Sequence, residues 1–433
     1  MKLRFRFFRV CSAARATLLL ALLVAAPATR ADSNPDSAAN DRTVVLMLFD
    51  GFSPEYIERF PTPALDRMRE GGAWTHAMDP AFPTISLTGG VTISTGCWPE
   101  HHGIVSNLFI DPERGFYDHA SDADWLTGCE HLHQAAERQG LRTAALGWYG
   151  RNSESAGPQA TYVSTESGFE AYPDDAGRAR EVIEQLERPV DERPRLILAY
   201  LKGPDGAGHF TGMDSDETRD AVIAADAAIA SVLDAIRALP DADRIQLIVT
   251  TDHGMRPVDA LVNLDRILRR HDIEARAVST GTSSFLYFSE PDEATLADAI
   301  SKLSTYSEFD VVRKTAQPED WHLGTGPRVG DLIVSAHPPY FIEGPGAWPW
   351  FLRWLQYVGP DFVSTSAALK ATHGYPTGTP GVAGILYGFG SAFRQDHEVD
   401  RIRAVDIHPT LMHVLSLEPG RSADGEVEWE LLR

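Results

Sequence analysis

The chain alternates short, continuously apolar segments with amphipathic ones from residue 43 onwards. A continuous apolar run predicts a buried strand, and apolar residues three or four positions apart predict a helix. Because strands that are apolar on both faces occur in parallel sheets covered by helices, the alternation predicts an α/β fold with a mostly parallel central sheet. The predicted strands are 44–49, 143–148, 196–201, 245–250, 332–335 and 382–387. The predicted helices are 63–69, 132–138, 178–186, 216–239, 261–270, 294–303 and 409–415.

The first 31 residues have a different pattern from the rest of the chain. A basic segment precedes the apolar run 16–26, and proline and small residues follow up to Ala31. This order is typical of a secretory signal peptide, and the run is shorter than the about 20 residues of a membrane span. We therefore expect a cleaved signal peptide at 1–31, a periplasmic or secreted protein without a stable membrane span, and a flexible lead-in at 32–42.

Composition narrows the class of partner. The 433 residues are 43% hydrophobic and 23% charged, as in an ordinary globular protein, and the formal net charge is −22. The signal segment carries six basic and no acidic residues, so its removal takes the net charge to −28. A strongly acidic surface repels nucleic-acid polymers and anionic membranes, so we expect neither as a partner. The sequence leaves the oligomeric state open.

Two of the three cysteines remain after signal cleavage. Cys11 lies in the signal segment, which leaves Cys97 and Cys129. In an oxidising compartment these two predict a disulfide, and two free buried thiols are the alternative.

Three aspartates follow predicted strands. Asp50 ends the strand 44–49, Asp252 ends the strand 245–250, and Asp205 comes shortly after the strand 196–201. A single aspartate in such a place is commonly a turn or cap residue. Since ligands bind at the carboxyl ends of the strands of an open α/β sheet, three such residues predict a shared site.

Histidines accompany these acids. His209 lies four residues after Asp205 in a glycine-rich turn, His253 follows Asp252 directly, and His373 precedes a glycine late in the chain. Aspartate and histidine together suit zinc, and manganese accepts the same ligands. The pattern therefore predicts a metal site.

A hydroxyl-rich segment supplies a candidate nucleophile. Ser86 lies between Ile85 and Leu87 in a run that continues Thr88-Gly89-Gly90. One interpretation is a loop with a helix N-cap. The functional interpretation is a metal-activated hydroxyl at a helix start, where backbone N–H groups favour an incoming anion.

From about residue 43 to 417, the chain resembles the nucleotide pyrophosphatase/phosphodiesterases of the alkaline phosphatase superfamily. Five separate motifs occur in that family's order. They are Asp50-Gly51; Phe82-Pro83-Thr84 with Thr95-Gly96 and Pro99-Glu100-x-His102-Gly103-Ile104; Pro204-Asp205 to Gly208-His209; Asp252-His253-Gly254-Met255; and His373-Gly374-Tyr375.

The resemblance implies an alkaline-phosphatase-like sandwich over residues 43–433, and we expect a smaller cap or insertion within 275–372. It also implies two divalent ions, most simply Zn²⁺, and a covalent intermediate on Ser86. Asn107 matches the asparagine that donates to the phosphoryl oxygen. One ion is expected on Asp205, His209 and His373, and the other on Asp50, Asp252, His253 and the oxygen of Ser86.

The chain departs from the family pattern around the nucleophile. Serine stands where members usually have threonine, and Leu87 replaces the aromatic residue that commonly stacks on a nucleobase. Tyr200 matches the opposing aromatic residue, and Trp148 lies in a segment similar to Trp-Pro-Gly-Ser. We therefore expect Leu87, Tyr200 and Trp148 to contact substrate.

Together with these residues, the resemblance implies a metal-dependent phosphodiesterase or nucleotide pyrophosphatase acting on a small molecule. A phosphomonoesterase typically has arginine beside its serine, whereas Ser86 is flanked by Ile85 and Leu87. A monoesterase or phosphonate hydrolase remains the alternative, as does a binding protein with an inactive site. A sulfatase is disfavoured because no Cys-x-Pro-Ser-Arg or Ser-x-Pro-Ser-Arg segment occurs. The leaving group stays open among nucleotides, glycerophosphodiesters, lipids and sugars.

Overall fold

The computed structural model describes residues 41–118, 125–153, 157–166, 171–342, 359–364 and 369–433. The predicted signal peptide and most of the predicted lead-in lie outside these residues. The strands in chain order are β1 Thr43–Phe49, β2 Gly72–Asp79, β3 Phe109–Asp111, β4 Gly115–Tyr117, β5 Thr143–Leu146, β6 Tyr162–Val163, β7 Leu196–Leu201, β8 Ile245–Thr251, β9 Arg256–Pro257, β10 Ala260–Val262, β11 Arg276–Thr280, β12 Ser283–Tyr287, β13 Phe309–Arg313, β14 Leu332–Ala336, β15 Tyr340–Phe341, β16 Phe362–Ser364, β17 Ala371–Thr372, β18 Gly384–Phe389, β19 His397–Glu398 and β20 Ile402–Arg403.

The helices of the described residues are also numbered in chain order. They are α1 Pro54–Arg59, α2 Pro63–Gly71, α3 Ser86–Thr95, α4 Pro99–His102, α5 Leu132–Arg138, α6 Asp175–Leu186, α7 Asp205–Thr211, α8 Asp216–Ala238, α9 Leu264–Arg270, α10 Glu293–Leu303 and α11 Ile407–Val414.

A nine-stranded sheet forms the centre of the fold, in the order β19-β2-β18-β8-β1-β7-β5-β6, with β20 also paired to β2. The five strands from β8 to β6 are parallel to one another, and β18 is antiparallel to both of its neighbours. The predicted α/β fold with a mostly parallel sheet is therefore confirmed.

Strand β1 shows why this sequence forms a sheet covered on both faces. All seven of its residues are buried, and successive side chains point to opposite faces. Val45, Met47 and Phe49 pack into a core that includes α2, α6 and α8. Val44, Leu46 and Leu48 pack into a second core that includes α5 and α11.

A four-stranded antiparallel sheet, in the order β11-β12-β14-β13, lies within 275–372, the segment in which a cap or insertion is expected. The segment 332–335 is a strand as predicted, but it pairs in this second sheet rather than in the central one. Periodicity identifies a buried strand, and it carries no information about which sheet completes its hydrogen bonds.

Strand β2 was not predicted, and helix α3 was predicted only as a helix start at Ser86, with a loop as the other interpretation. Strand β2 mixes polar and apolar residues without a continuous apolar run. Helix α3 contains two glycines, two serines and three threonines, which all have low helix propensity. Its burial in the fold, rather than its local preference, makes this segment helical.

The predicted disulfide is present and joins Cys97, just after α3, to Cys129, just before α5. No helix among the described residues is long and apolar enough to cross a membrane.

Candidate active site

The carboxyl ends of three adjacent strands bring the three predicted aspartates together. Strand β1 pairs with β7 on one side and β8 on the other. Asp50 directly follows β1, Asp252 directly follows β8, and Asp205 begins α7 after a short turn from β7. Gly51 has a φ of +62°, and a Cβ there would lie 2.7 Å from Asp205 Oδ1, so this turn requires glycine.

One group of possible metal ligands consists of Asp50, Asp252 and His253, all buried, with ligand atoms within 4.8 Å of one another. His253 Nε2 lies 3.4 Å from Asp50 Oδ1 and 3.7 Å from Asp252 Oδ1. The backbone N–H groups of Gly51 and His253 donate to Asp252 Oδ1 at 3.1 and 3.0 Å. These bonds fix Oδ1 of Asp252, and its buried Oδ2 has no hydrogen-bond partner among the described residues.

The second group lies around Asp205. Its Oδ1 is 3.3 Å from His209 Nε2 and 3.6 Å from His373 Nε2. Asp205, His253 and His373 also have ligand atoms within 4.8 Å of one another, so the two groups adjoin. The rings of His253 and His373 stack with their centroids 3.6 Å apart. The structure therefore brings together all six of the predicted aspartate and histidine ligands.

The three imidazoles share one orientation. Nδ1 of His209, His253 and His373 lies 2.8, 2.9 and 3.1 Å from the backbone carbonyl oxygens of Ala371, Gly254 and Thr84, respectively. A carbonyl oxygen only accepts, so each Nδ1 carries the proton and each neutral ring presents a lone pair at Nε2. His209 Nε2 and His373 Nε2 are 3.1 Å apart, an arrangement of two acceptors that a shared cation would stabilise.

The carboxylates also fit a cation. Asp205 Oδ1 and Asp252 Oδ2 are buried and have no hydrogen-bond partner among the described residues. Burial and the charges of Asp252 and Asp205 raise the pKa of Asp50 well above its ordinary value. Burial opposes ionisation of Asp205 too, but positive charge on the adjoining groups, His209 first and then His373 and His253 when protonated, would outweigh it and lower the pKa of Asp205. Buried carboxylates without partners are costly unless a positive charge neutralises them, so the donor set fits divalent ions.

Ser86 occupies the first turn of α3 and faces the first ligand group. Its Oγ lies 3.3 Å from Asp50 Oδ1 and 3.2 Å from His253 Nε2, and the residue is partly exposed. The neighbouring hydroxyls serve other purposes: Thr84 donates to Tyr375 O, and Thr88 donates to Ile104 O. Ser86 is thus the hydroxyl of this segment that the structure places with the metal-ligand groups.

Asn107 lies beside the start of α3. Its Oδ1 accepts the Leu87 N–H at 3.0 Å, which ties the asparagine to the helix that carries Ser86. An amide whose oxygen is engaged in this way presents its two N–H groups on the other side. Leu87 is partly exposed next to Ser86.

The structure does not bring Trp148 and Tyr200 to an open surface. Trp148 is fully buried and donates from Nε1 to Ser94 Oγ, at the far end of α3. Tyr200 is 5% exposed, and its hydroxyl donates to Asp50 Oδ2. Both belong to the apolar core on one face of the sheet. As placed, Tyr200 orients a metal-ligand candidate and Trp148 anchors a helix, and neither ring is available for stacking on a ligand.

Sequence reasoning missed two contributors to the site. The Thr84 carbonyl orients His373, and a carbonyl has no residue-type signal that could reveal such a role. Tyr149 follows β5 at the same edge of the sheet and packs edge-to-face against Tyr200, with ring centroids 5.6 Å apart. Its position at a strand's carboxyl end was the available signal.

The fold and the site together define a hydrolase of phosphoester bonds. A family model described as type I phosphodiesterase / nucleotide pyrophosphatase matches residues 44–376, and the chain therefore belongs to that family. The predicted recognition of the family and the prediction of an enzyme are confirmed by this match.

Relatives and solved structures agree with this assignment. An uncharacterized pyrophosphatase/phosphodiesterase from Schizosaccharomyces pombe is 27% identical over 404 residues, covering 90% of this chain and 80% of the relative. Human ectonucleotide pyrophosphatase/phosphodiesterase family member 7 is 26% identical over 423 residues, covering 93% and 86%. Murine ectonucleotide pyrophosphatase/phosphodiesterase 5, solved as an inactive variant in complex with AMP, has the same fold, with a TM-score of 0.74, 22% identity and coverage of 87% and 96%.

Proposed function

We propose that this protein is an exported phosphodiesterase or nucleotide pyrophosphatase that uses two divalent ions and Ser86 as its nucleophile. The observation that carries the proposal is the position of Ser86 Oγ, within 3.3 Å of both Asp50 Oδ1 and His253 Nε2. A serine hydroxyl between two metal-ligand candidates at a helix start combines an activated nucleophile with backbone N–H groups that favour an anion.

Zinc is the metal that the donor set suits best. Asp205, His209 and His373 would hold one ion, and Asp50, Asp252, His253 and Ser86 would hold the other. When bound, the ions would lower the pKa of the Ser86 hydroxyl and stabilise the charge on the departing oxygen. The unpartnered oxygens Asp205 Oδ1 and Asp252 Oδ2 support this assignment. Manganese accepts the same ligands, so the metal has to be measured.

The residues of the chain divide the work of the reaction. Ser86 Oγ attacks phosphorus, its bond to phosphorus forms, and the bond from phosphorus to the leaving alcohol breaks. Asn107 donates its amide N–H groups to the phosphoryl oxygen, a contact that typically contributes about 3 kcal/mol to the transition state. Tyr200 keeps Asp50 oriented through its hydroxyl. The leaving alcohol takes up a proton, and Ser86 is then joined to a phosphoryl group that still carries the remaining ester group. Water attacks this phosphorus, the bond to Ser86 Oγ breaks, and the phosphate monoester leaves as the Ser86 hydroxyl is regenerated.

Charge favours a diester over a monoester. Two divalent ions against three carboxylates leave one net positive charge, and ionisation of Ser86 removes it. A singly charged diester meets this balance better than a doubly charged monoester, and the residues next to Ser86 are Ile85 and Leu87 rather than arginine. A monoesterase or phosphonate hydrolase is the second candidate, since a more distant cation could hold the extra charge.

Export and nucleotide substrates are supported by indirect observations. The basic, apolar and small-residue order of 1–31 is that of a signal peptide, and the Cys97–Cys129 disulfide suits an oxidising compartment. Ectonucleotide enzymes are among the relatives, and one structural neighbour holds AMP. The partly exposed Leu87 offers an apolar surface for the esterifying group.

We also propose that 43–433 form one catalytic domain, with a cap or insertion within 275–372. The four-stranded antiparallel sheet from β11 to β14 supports this division. The turn between β11 and β12 reaches the site, because a Cβ on Gly281 would lie 2.5 Å from the carbonyl oxygen of His373.

The nucleophile can be tested with zinc-loaded protein. Ser86→Ala should lower kcat on a thymidine-linked p-nitrophenyl diester by orders of magnitude while the zinc content stays nearly unchanged, because the aspartates and histidines remain. Thr88→Val is the matched control. The Thr88 hydroxyl donates to Ile104 O at a distance of 3.4 Å and lies outside the metal-ligand groups. The wild type should also prefer this diester to p-nitrophenyl phosphate. An active Ser86→Ala variant would refute the nucleophile, and a tenfold preference for the monoester would favour a phosphatase.

A further inference from the structure

Hydrogen bonds hold both the side chain and the backbone of Asn107. The side chain is held through Oδ1, which accepts the Leu87 N–H at 3.0 Å. The backbone turn is closed by the buried Ser106, whose hydroxyl accepts the Leu108 N–H in a long hydrogen bond of 3.5 Å. A serine hydroxyl that bonds to the backbone two residues further on shapes the turn between them. The place of the Ser106 hydroxyl therefore affects where the Asn107 side chain points.

A residue of the four-stranded antiparallel sheet contacts that hydroxyl. Ser106 Oγ donates to Thr280 Oγ1 at 3.3 Å. Thr280 is the last residue of β11 and pairs with Ser283, the first residue of β12, across a two-residue turn. The bond thus links the segment that carries Asn107 to the hairpin of the second sheet.

The turn between β11 and β12 is itself tightly held. The carbonyl oxygen of Gly281 accepts the Ile342 N–H at 2.9 Å, and that of Thr282 accepts the Ala336 N–H at 2.8 Å. The turn also packs closely against the segment that carries a metal-ligand candidate, because a Cβ on Gly374 would lie 3.0 Å from Thr282 N. An acceptor next to such a turn keeps its donor in one place, and functional groups need support of this kind.

We propose that Thr280 is a positioning residue that, through Ser106, holds Asn107 in the orientation in which its amide N–H groups donate to the phosphoryl oxygen. The inference rests on the proposed function, in which Asn107 makes that contact. An N–H group stabilises the transition state only when it is aimed at the developing charge, so a displaced asparagine loses part of its effect while its amide remains. The second sheet thus contributes to catalysis without touching the substrate.

The test measures kcat and KM on the thymidine-linked p-nitrophenyl diester with zinc-loaded protein. Thr280→Val keeps the shape of the side chain but removes the acceptor, so it should lower kcat about tenfold with KM and zinc content nearly unchanged. Thr280→Ser keeps the hydroxyl and should retain most of the wild-type kcat. Ser279→Ala is the matched control, since it removes another hydroxyl bond of the same hairpin, from Ser279 Oγ to Ser284 Oγ at 2.8 Å, and should leave kcat unchanged. A wild-type kcat in Thr280→Val, or an equal loss in Thr280→Ser, would overturn the inference.

Double variants show whether the effect passes through Ser106 and Asn107. Ser106→Ala breaks the same bond from its other side and should also lower kcat. Adding Thr280→Val to Ser106→Ala, or to Asn107→Ala, should cause little further loss, because the contact is already absent. Additive losses of kcat in either pair would overturn the inference.

Two further outcomes are distinguishable from these. If thermal melts show that Thr280→Val does not fold, Ser106→Ala carries the test alone, and a wild-type kcat in it would overturn the inference. A wild-type protein that hydrolyses neither this diester nor p-nitrophenyl phosphate would refute the proposed function, and the inference with it.

Discussion

At the scale of single residues, the site is organised by hydrogen bonds that fix which atoms face its centre. Three backbone carbonyls orient the imidazoles of His209, His253 and His373. These residue types, and their places after strands, could be predicted from the sequence because metal chemistry limits the choice of donors. The burial of Trp148 and Tyr200 could not be predicted from the sequence, because an aromatic residue at a strand end gives the same sequence signal whether it points to the site or into the core.

Asn107 offers a residue-scale prediction. Its Oδ1 accepts the Leu87 N–H, while its N–H groups are proposed to donate to substrate. Asn107→Ala removes both functions and should lower kcat about 100-fold. Asn107→Asp keeps the acceptor for Leu87 but loses the donor, so it should lower kcat at least as much while retaining the wild-type melting temperature. Steady-state kinetics and thermal melts check this; an Asn107→Asp enzyme with nearly full kcat would show that the residue acts only through Leu87.

At the scale of elements, the central strands were predictable and their partners were not. Strand β1 is continuously apolar and buried, so its sequence alone is enough to predict a buried strand. Strand β14 is equally apolar and fully buried, yet it pairs in the antiparallel sheet. Helix α3 has a composition that disfavours helix, and tertiary packing of its buried residues outweighs that preference. Close approach between α3 and Asp252 is a property of the assembled fold that no local pattern predicts.

The turn between β11 and β12 allows an element-scale prediction. Gly281 has a φ of +59°, and its Cβ would lie 2.5 Å from the carbonyl oxygen of His373. Gly281→Ala should therefore shift His373 and reduce both zinc content and kcat/KM. Gly115→Ala is the control, because Gly115 has a φ of +87° and open space around its Cβ position. Both variants should lose about 1 kcal/mol of stability from the left-handed backbone, but only Gly281→Ala should lose zinc. Equal zinc content in the two variants would contradict the proposed contact with the site.

At the scale of the whole molecule, several buried histidines that lie outside the ligand groups connect stability to pH. Burial lowers the pKa of His102 and His133 to about 3 and that of His408 to about 4. His102 forms a hydrogen bond with Thr92 of α3. His408 forms hydrogen bonds with the backbone of Ser94 in α3 and of Gly420, so both histidines are bonded to α3. His133 has no hydrogen-bond partner on either ring nitrogen among the described residues. In the folded protein these rings are neutral at pH 5.

These histidines should make the protein unstable in mild acid. An unfolded histidine takes up a proton near pH 6.5, whereas the folded rings do not until pH 3 to 4, so unfolding consumes protons between these values. Stability is therefore complete above pH 6.5 and falls as the pH drops, by about 1.4 kcal/mol per pH unit for each such ring. His133→Leu should flatten this slope and, because it removes a buried polar group without a partner, should cost little at pH 7. The exposed His413 supplies the control His413→Gln, whose slope should match the wild type. Thermal melts of the three proteins from pH 7.5 to 4.5 decide the matter, and an unchanged slope in His133→Leu would mean that the ring is already protonated in the folded state.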